Sequence, residues 1–342
     1  MIETDALIIG AGPVGLFQVF ELGLLGIKAH VVDALPHVGG QCIELYADKA
    51  IYDIPALPVC TGRELIERLH KQIEPFEASF HMGQEVSVLS RLADGRFQIE
   101  TSSGTRFLAK TVFIAAGVGA FTPRTLQAPG FDTLVGKQLF YRAPMVDKMA
   151  QGHVLVLGEN DDALALAIRL AEQHEAPPKS VTLMHRRDSL KADEHLVARM
   201  RELREAGRMR FVAGQILSGE QVSDQLTAIT YVDSEANTQS LPVDIVFGLL
   251  GVSPRLGPVT QWGLALERKQ LTVSTENFST SEPGIFAVGD INTYPGKKKL
   301  IVCGFHECTL AAFGAAAYLN PGQTIPLQYT TASPRLHKLL GV

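Results

Sequence analysis

Cys42 follows a Gly39-Gly40-Gln41 turn, and a thiol so placed raises the question of redox or nucleophilic chemistry. Thiol redox cycling needs a second sulfur to resolve the first. The remaining cysteines are Cys60, Cys303 and Cys308; no two of the four form Cys-x-x-Cys, and the set does not read as a disulfide framework. Cys303 and Cys308 are spaced wrongly for a dithiol couple, and "ECTLAAFGAAAYL" reads as a packed helix. With His306 between them they offer two thiols and one imidazole, which lack the fourth ligand of a zinc site. No metal is therefore expected. An isolated cysteine usually ends as a small buried apolar residue, and that is the expectation for Cys42.

Phosphate chemistry is better supplied. Gly10, Gly12 and Gly15 stand in "GAGPVG", between the apolar run "DALIIG" and the helical pattern "LFQVFELGLL". In such a strand–turn–helix unit the first glycine permits the tight turn, the second lets backbone approach a pyrophosphate, and the third lets helix pack on strand. The helix N-terminus adds free N–H groups and a positive dipole end. Asp33 closes the next strand, "KAHVVD", where an acid accepts hydrogen bonds from an adenosine ribose. A second unit follows near residue 152: "GHVLVLG" as strand, "ENDDALALAIRLAEQ" as helix and "SVTLMHRRDSL" as strand and loop. Its glycine pattern is degraded, with Gly158 first, Asn160 in the second place and Ala163 in the third. Its second strand ends in His185, Arg186 and Arg187 instead of an acid. Arginines there pair with a 2′-phosphate that an acid would repel.

The elements that must position these residues imply an interrupted domain. "TVFIAAGVGAFTPR" leads from an apolar strand into a glycine-rich turn, and much later "VDIVFGLLGVSP" and "GIFAVGDINTYPG" repeat the pattern. The expected architecture is α/β with two Rossmann-like nucleotide-binding domains of three-layer ββα type, the second inserted into the first. Residues 1–117 and 250–342 form the first domain, and residues 121–247 the second. "SRLADGRFQIETSSGTRFLAKTVFIAAG" alternates around D-G and S-G turns as a β-meander does. The net charge of −5 argues against a general nucleic-acid binder. No apolar run reaches the ~20 residues of a membrane span. The N-terminus enters a strand with no basic, small-residue-terminated leader, and a reducing cytoplasm is expected.

"GAGPVG", "GGQ", "AAGVGAFTPR", "HRRD", "GVSP" and "GIFAVGDI" occur in the order found in low-molecular-weight thioredoxin reductases, which the chain resembles throughout. "KAIYDIPA", "GAFTPR" and "TYPGK", with a tail after the last helix, resemble more specifically the thioredoxin-reductase-like class of ferredoxin/flavodoxin–NADP reductases. Thioredoxin reductases carry Cys-x-x-Cys just before the second nucleotide unit, where this chain reads "QLFYRAPMVDKMAQG". Glutathione-reductase-type enzymes use two cysteines five apart, and five residues past Cys42 stands Ala47. The resemblance implies FAD and NADPH as cofactors, a ferredoxin or flavodoxin partner and a homodimer. It assigns Asp33 to the adenosine ribose, Gln41 and Tyr46 to the FAD cleft, and Val86 to the adenine through its backbone. Phe121 and Asp290 fall at the flavin end. Tyr52 matches an aromatic stacked on one flavin face; in the tail, Tyr329 takes the stacking place over the other face and Thr331 lies close to the ring.

The expected activity is FAD-dependent electron transfer between NADPH and ferredoxin or flavodoxin, without a redox disulfide. The rival within enzymes is a flavin reductase of another acceptor, a quinone or a thioredoxin-like protein. The rival from another class is a non-catalytic sensor of FAD and NADPH, favoured by the degraded "GENDDA". Lys297-Lys298-Lys299 and the tail cluster Arg335, His337 and Lys338 are the cationic stretches expected to meet an acidic carrier.

Overall fold

In the computed structural model, which describes residues 1–142, 152–327 and 329–340, "IETDALII" forms β1 (Ile2–Ile9). Its side chains alternate: Ala6 and Ile8 enter one core, Leu7 and Ile9 another on the opposite face. Two apolar cores on one strand require cover on both faces, as in parallel α/β sheets. α1 (Pro13–Leu24) supplies cover on the first face through Leu16, Val19 and Leu22, each buried. Proline at its first turn presets the helical φ. The chain continues through β2 (Ala29–Val32), α2 (Gln41–Tyr46), α3 (Gly62–Ile73) and β3 (Ser79–His81). Then comes the expected meander, β4 (Val86–Arg91), β5 (Phe97–Thr101) and β6 (Arg106–Ile114), antiparallel throughout.

After a second unit the chain returns with β13 (Ile285–Ala287), α6 (Ile301–Leu319) and α7 (Pro334–Leu340). β13 lies parallel to β6, so that the sheet runs β3-β2-β1-β6-β5-β4 with β13 beside β6. Phe113 and Phe286, paired in that register, stack at 5.1 Å between ring centroids and 19° between planes. Each buries a side chain worth about 1.5–3 kcal/mol of transfer free energy, which secures the late strand to the early one. Residues Met1–Phe121 and Pro254–Val342 together make one compact unit, and Thr122–Ser253 make the other. α6 is the exception to the expectation that nothing reaches membrane-span length, since its 19 residues are long and apolar enough by composition. It carries a fully buried glutamate, Glu307, and contributes Cys308, Ala311 and Ala315 to the core shared with α1.

The intervening unit repeats the plan. β7 (His153–Leu157), α4 (Asp161–Glu172), β8 (Ser180–His185) and α5 (Glu194–Glu205) lead into β9 (Arg210–Val222), β10 (Gln225–Asp233), β11 (Thr238–Pro242) and β12 (Ile245–Gly248). Its described residues form a seven-stranded sheet: Leu139–Phe140, β12, β7, β8 and β9 are parallel, and β9, β10 and β11 antiparallel. Val154 and Val156 face the helices α4 and α5, while Leu155 and Leu157 face Ile229 and Leu241 of the antiparallel strands. Both units are thus helix layer, parallel sheet and β layer, which is the two-domain thioredoxin-reductase-like architecture expected.

Candidate functional site

The glycine turn after β1 opens a cleft lined wholly by the first unit. Gly10 has φ +115°, and a side chain there would overlap the Ala115 carbonyl, so both backbone shape and space require glycine. A Cβ at Gly15 would overlap the Gly10 carbonyl; its absence lets α1 sit against the turn. Gly12 meets only Gly40 Cα at 4.0 Å and leaves the cleft floor bare. α1 begins there without a side-chain cap and without an acid in its first turn, leaving its N-terminal N–H groups available to an anion.

Asp33 lines this cleft and holds it in shape. Its Oδ2 accepts from Ala11 N at 2.6 Å and its Oδ1 from Leu35 N at 2.7 Å. Burial pushes its carboxyl up from the usual range, and the two backbone hydrogen bonds oppose that. A carboxylate has about four acceptor sites, so two N–H bonds leave room for a ribose. Gln41, Tyr46, Val86 and Asp290 line the same cleft, and Gln41 Nε2 donates to Asp290 Oδ2 at 3.2 Å across 249 residues of sequence. Trp262, which no motif indicated, also lines it, and its buried Nε1–H has no acceptor among the described residues. Bare helix end, glycine floor, strand-end acid and unanswered indole donor together fit a dinucleotide.

Beneath Asp290 lies a polar cluster that sequence reasoning missed. Glu307 is 0% exposed; its Oε2 accepts from Gly289 N at 2.6 Å and Asn292 Nδ2 at 2.8 Å. Its Oε1 accepts from Tyr294 OH at 3.0 Å and from Lys297 Nζ, which also donates to Gly289 O at 2.9 Å. Both backbone groups of Gly289, the residue before Asp290, are therefore held by one buried ion pair. Burial beside Glu307 pushes the Tyr294 phenol up to about 12. The signal was present: Glu307 is the only charged residue in "IVCGFHECTLAAFGAAAYL". An ionised group in an apolar helix demands a partner.

This cluster corrects the docking expectation. The Lys297 side chain is 7% exposed and belongs to Glu307, leaving Lys298 and Lys299 as the exposed lysines, with Lys299 lining the cleft. Arg335 is likewise engaged, donating to Gly23 O at 2.8 Å and Leu24 O at 3.3 Å. A cation on the last carbonyls of α1 complements the negative end of the helix dipole. That anchorage holds α7 at the C-terminal end of α1. α1 spans ~18 Å, and the tail docks at the end opposite Gly12. Tyr329, 72% exposed, and the exposed Thr331 are not among the cleft residues. Tyr52 is not either; it is 73% exposed, one residue before Asp53, whose charge acts on Tyr46. The Phe121 side chain lies outside the described residues.

All four cysteines are free thiols. Cys42 is fully buried in the core and donates to Tyr46 OH at 3.6 Å, and burial pushes its thiol up, away from the reactive thiolate. Cys308 is also fully buried and bonded to Val14 O at 3.3 Å.

In the second unit, Gly158 N donates to Met184 O as Gly10 N donates to Val32 O, and the strand registers match. His185 therefore occupies the place of Asp33, with Arg186 and Arg187 exposed just beyond it. The helix end differs. Asn160 Oδ1 caps α4 by accepting from Ala163 N at 3.2 Å, and Asp161 and Asp162 occupy its first turn. Glu159 reaches the strand end, with Oε2 3.4 Å from His185 Nε2 and Oε1 3.0 Å from Lys191 Nζ.

Two nucleotide units of this form define a pyridine-nucleotide oxidoreductase, and a sequence model of the pyridine nucleotide-disulphide oxidoreductases matches residues 4–311. Over 341 residues the chain is 58% identical to the Ferredoxin--NADP reductase of Albidiferax ferrireducens, spanning 100% of this chain and 96% of that protein. It is 57% identical over 341 residues to the Ferredoxin--NADP reductase of a Polaromonas species, spanning 100% and 93%. The chain belongs to the ferredoxin–NADP reductases of this class. Among solved structures, Lactococcus lactis thioredoxin reductase in its FR conformation shares the fold with a TM-score of 0.61 at 22% identity, over 92% of this chain and 99% of that one. The thioredoxin reductase of T. acidophilum does so with a TM-score of 0.61 at 21% identity, over 93% and 99%.

Proposed function

We propose that the protein is an FAD-dependent reductase moving electrons between NADPH and ferredoxin or flavodoxin, with FAD in the glycine cleft and NADPH on the inserted unit. The full-length identity to relatives of that name carries the reading. When bound, FAD supplies the chemistry: it takes electrons as a pair and releases them singly. The chain's own residues bind and orient. The N-terminus of α1 and the bare glycine floor receive the diphosphate, and Asp33 takes the ribose. Gln41 fixes the Asp290 carboxylate at the other end of the cleft. Arg186 and Arg187 receive the 2′-phosphate of NADPH. Tyr52 is the flavin-stacking aromatic by the resemblance alone, one residue before Asp53, whose charge acts on Tyr46. By the same resemblance the working form is a homodimer, which sedimentation decides; its free cysteines favour a reducing cytoplasm, which fractionation decides.

The deciding experiment assays the purified protein with NADPH and ferredoxin, beside a quinone and a thioredoxin. Ferredoxin should be reduced fastest, and Cys42→Ala should retain that rate within a few-fold, because no thiol relays electrons. A variant that keeps its flavin but loses carrier reduction would overturn this. The NADPH-dependent bleaching of the flavin should be rapid, which a sensor would not show.

Charge guides the encounter with the carrier. Ferredoxins and flavodoxins are acidic, as this chain is overall, so docking needs a local positive patch against the average. Lys299 at the cleft and Lys298 beside it provide one. Lys298→Glu should slow ferredoxin reduction while leaving NADPH–ferricyanide turnover intact. Raised salt should act in the same direction, through screening over a ~10 Å Debye length. A carrier rate indifferent to both would remove the patch.

A further inference from the structure

The second glycine turn carries three acids that the first lacks, Glu159, Asp161 and Asp162, and Glu159 is the one that lies against His185. Glu159 follows Gly158 directly, and its carboxylate side chain, 30% exposed, folds onto the end of β8. Its Oε2 lies 3.4 Å from His185 Nε2, and its Oε1 accepts from Lys191 Nζ at 3.0 Å. The Glu159 backbone carbonyl accepts from Lys191 N at 2.7 Å, so the loop after β8 is drawn back across the turn. The Lys191 hydrogen bond holds the Glu159 carboxyl below the usual carboxylate range, with His185, Lys191 and Arg186 adding their charges. Arg186 is thus near enough for its charge to be felt. The cations at this strand end are not free to act on an incoming anion at full strength. One carboxylate already sits among them.

We propose that Glu159 is a coenzyme-discriminating residue: it opposes the 2′-phosphate and narrows this chain's preference for NADPH over NADH. The inference rests on the 2′-phosphate reading of Arg186 and Arg187. Its physical content is Coulombic. A carboxylate within the cation cluster repels the doubly negative 2′-phosphate and occupies Lys191, whereas a ribose 2′-hydroxyl meets no such penalty and can donate to an acid. In the first unit, Asp33 holds that acidic role from the strand end itself. In the second unit, His185 stands there and the acid comes from the turn.

The test is calorimetric binding of NADP⁺, NAD⁺ and 2′,5′-ADP to the intact flavoprotein, at low and high salt, beside steady-state kinetics. Glu159→Gln should tighten NADP⁺ and 2′,5′-ADP roughly three- to tenfold, a gain that fades with salt, and leave NAD⁺ unchanged or weaker. Lys191→Met removes the donor and its charge but keeps the Glu159 carboxylate, and should weaken NADP⁺. NADP⁺ and NAD⁺ shifting in parallel in Glu159→Gln would show that Glu159 only anchors the loop, and would overturn the inference. Unchanged NADP⁺ affinity would overturn it as well. Arg186→Ala with Arg187→Ala separates the two levels. A loss of NADP⁺ binding there, without a gain at Glu159→Gln, sinks this inference alone. No loss there sinks the coenzyme reading together with it.

Discussion

Glu307→Ala will destabilise the cleft-bearing unit by about 3–5 kcal/mol, the cost of leaving a buried charge without its partner. Lys297, 7% exposed, would keep only Gly289 O and the face of the Tyr294 ring, 5.4 Å from its nitrogen. Gly289 N and Asn292 Nδ2 would lose their acceptor in the same step, and an unmade buried hydrogen bond costs about 1–3 kcal/mol. The turn that presents Asp290 to the cleft should loosen, so the variant should also lose FAD more readily on dilution or dialysis. Denaturant titration of the flavin-loaded and flavin-free forms measures both effects. Glu307→Gln with Lys297→Met removes both charges and keeps an acceptor for Gly289 N; it should recover more than half of the loss. A cost below about 1 kcal/mol in Glu307→Ala would mean that the pair is not the support described.

Arg186→Ala with Arg187→Ala will raise the KM for NADPH by roughly ten- to a hundredfold and that for NADH little. The charge-assisted hydrogen bonding lost with the pair is set at about 1.5–3 kcal/mol in all, which corresponds to that range. Both side chains are exposed beyond the end of β8, where no protein carboxylate other than Glu159 is drawn onto the neighbouring His185 among the described residues. Flavin content should be unaffected, because the cleft proposed for FAD is built from the other unit. Equal rises for both coenzymes would make the pair structural.

The architecture was legible because it rests on periodicity. "DALIIG" and "GHVLVLG" alternate between two apolar faces, and a strand buried on both faces with a glycine exit has few other readings. The cradle was legible for the same reason: Gly10 and Gly15 are dictated by backbone within a short stretch of chain. What stayed hidden depends on contacts distant in sequence. Lys297 reads as one of three surface lysines until Glu307 is seen beneath it on a different element. Trp262 reaches the cleft through a segment with no motif. The tail's position is set by Arg335 meeting carbonyls of α1 some 310 positions earlier, which no local pattern encodes. The Glu159 carboxylate could have been noticed as an acid inside a phosphate-type turn, but its direction toward His185 is a matter of side-chain geometry.

The pairing of β13 with β6 sets the order in which the protein can be built on the ribosome. Ile285, Phe286 and Ala287 complete an edge formed by Val112, Phe113 and Ile114, about 170 residues earlier. At about 5–20 residues per second, that edge waits some 10–35 s for its strand. Meanwhile the uninterrupted unit Thr122–Ser253 emerges entire and can close its own core. The waiting edge is apolar and unpaired, a template for wrong partners, and non-local parallel pairing of this kind is intrinsically slow. Asp290 arrives three residues after the strand that seals the edge. Flavin loading therefore belongs to the end of synthesis, after the second nucleotide unit already exists.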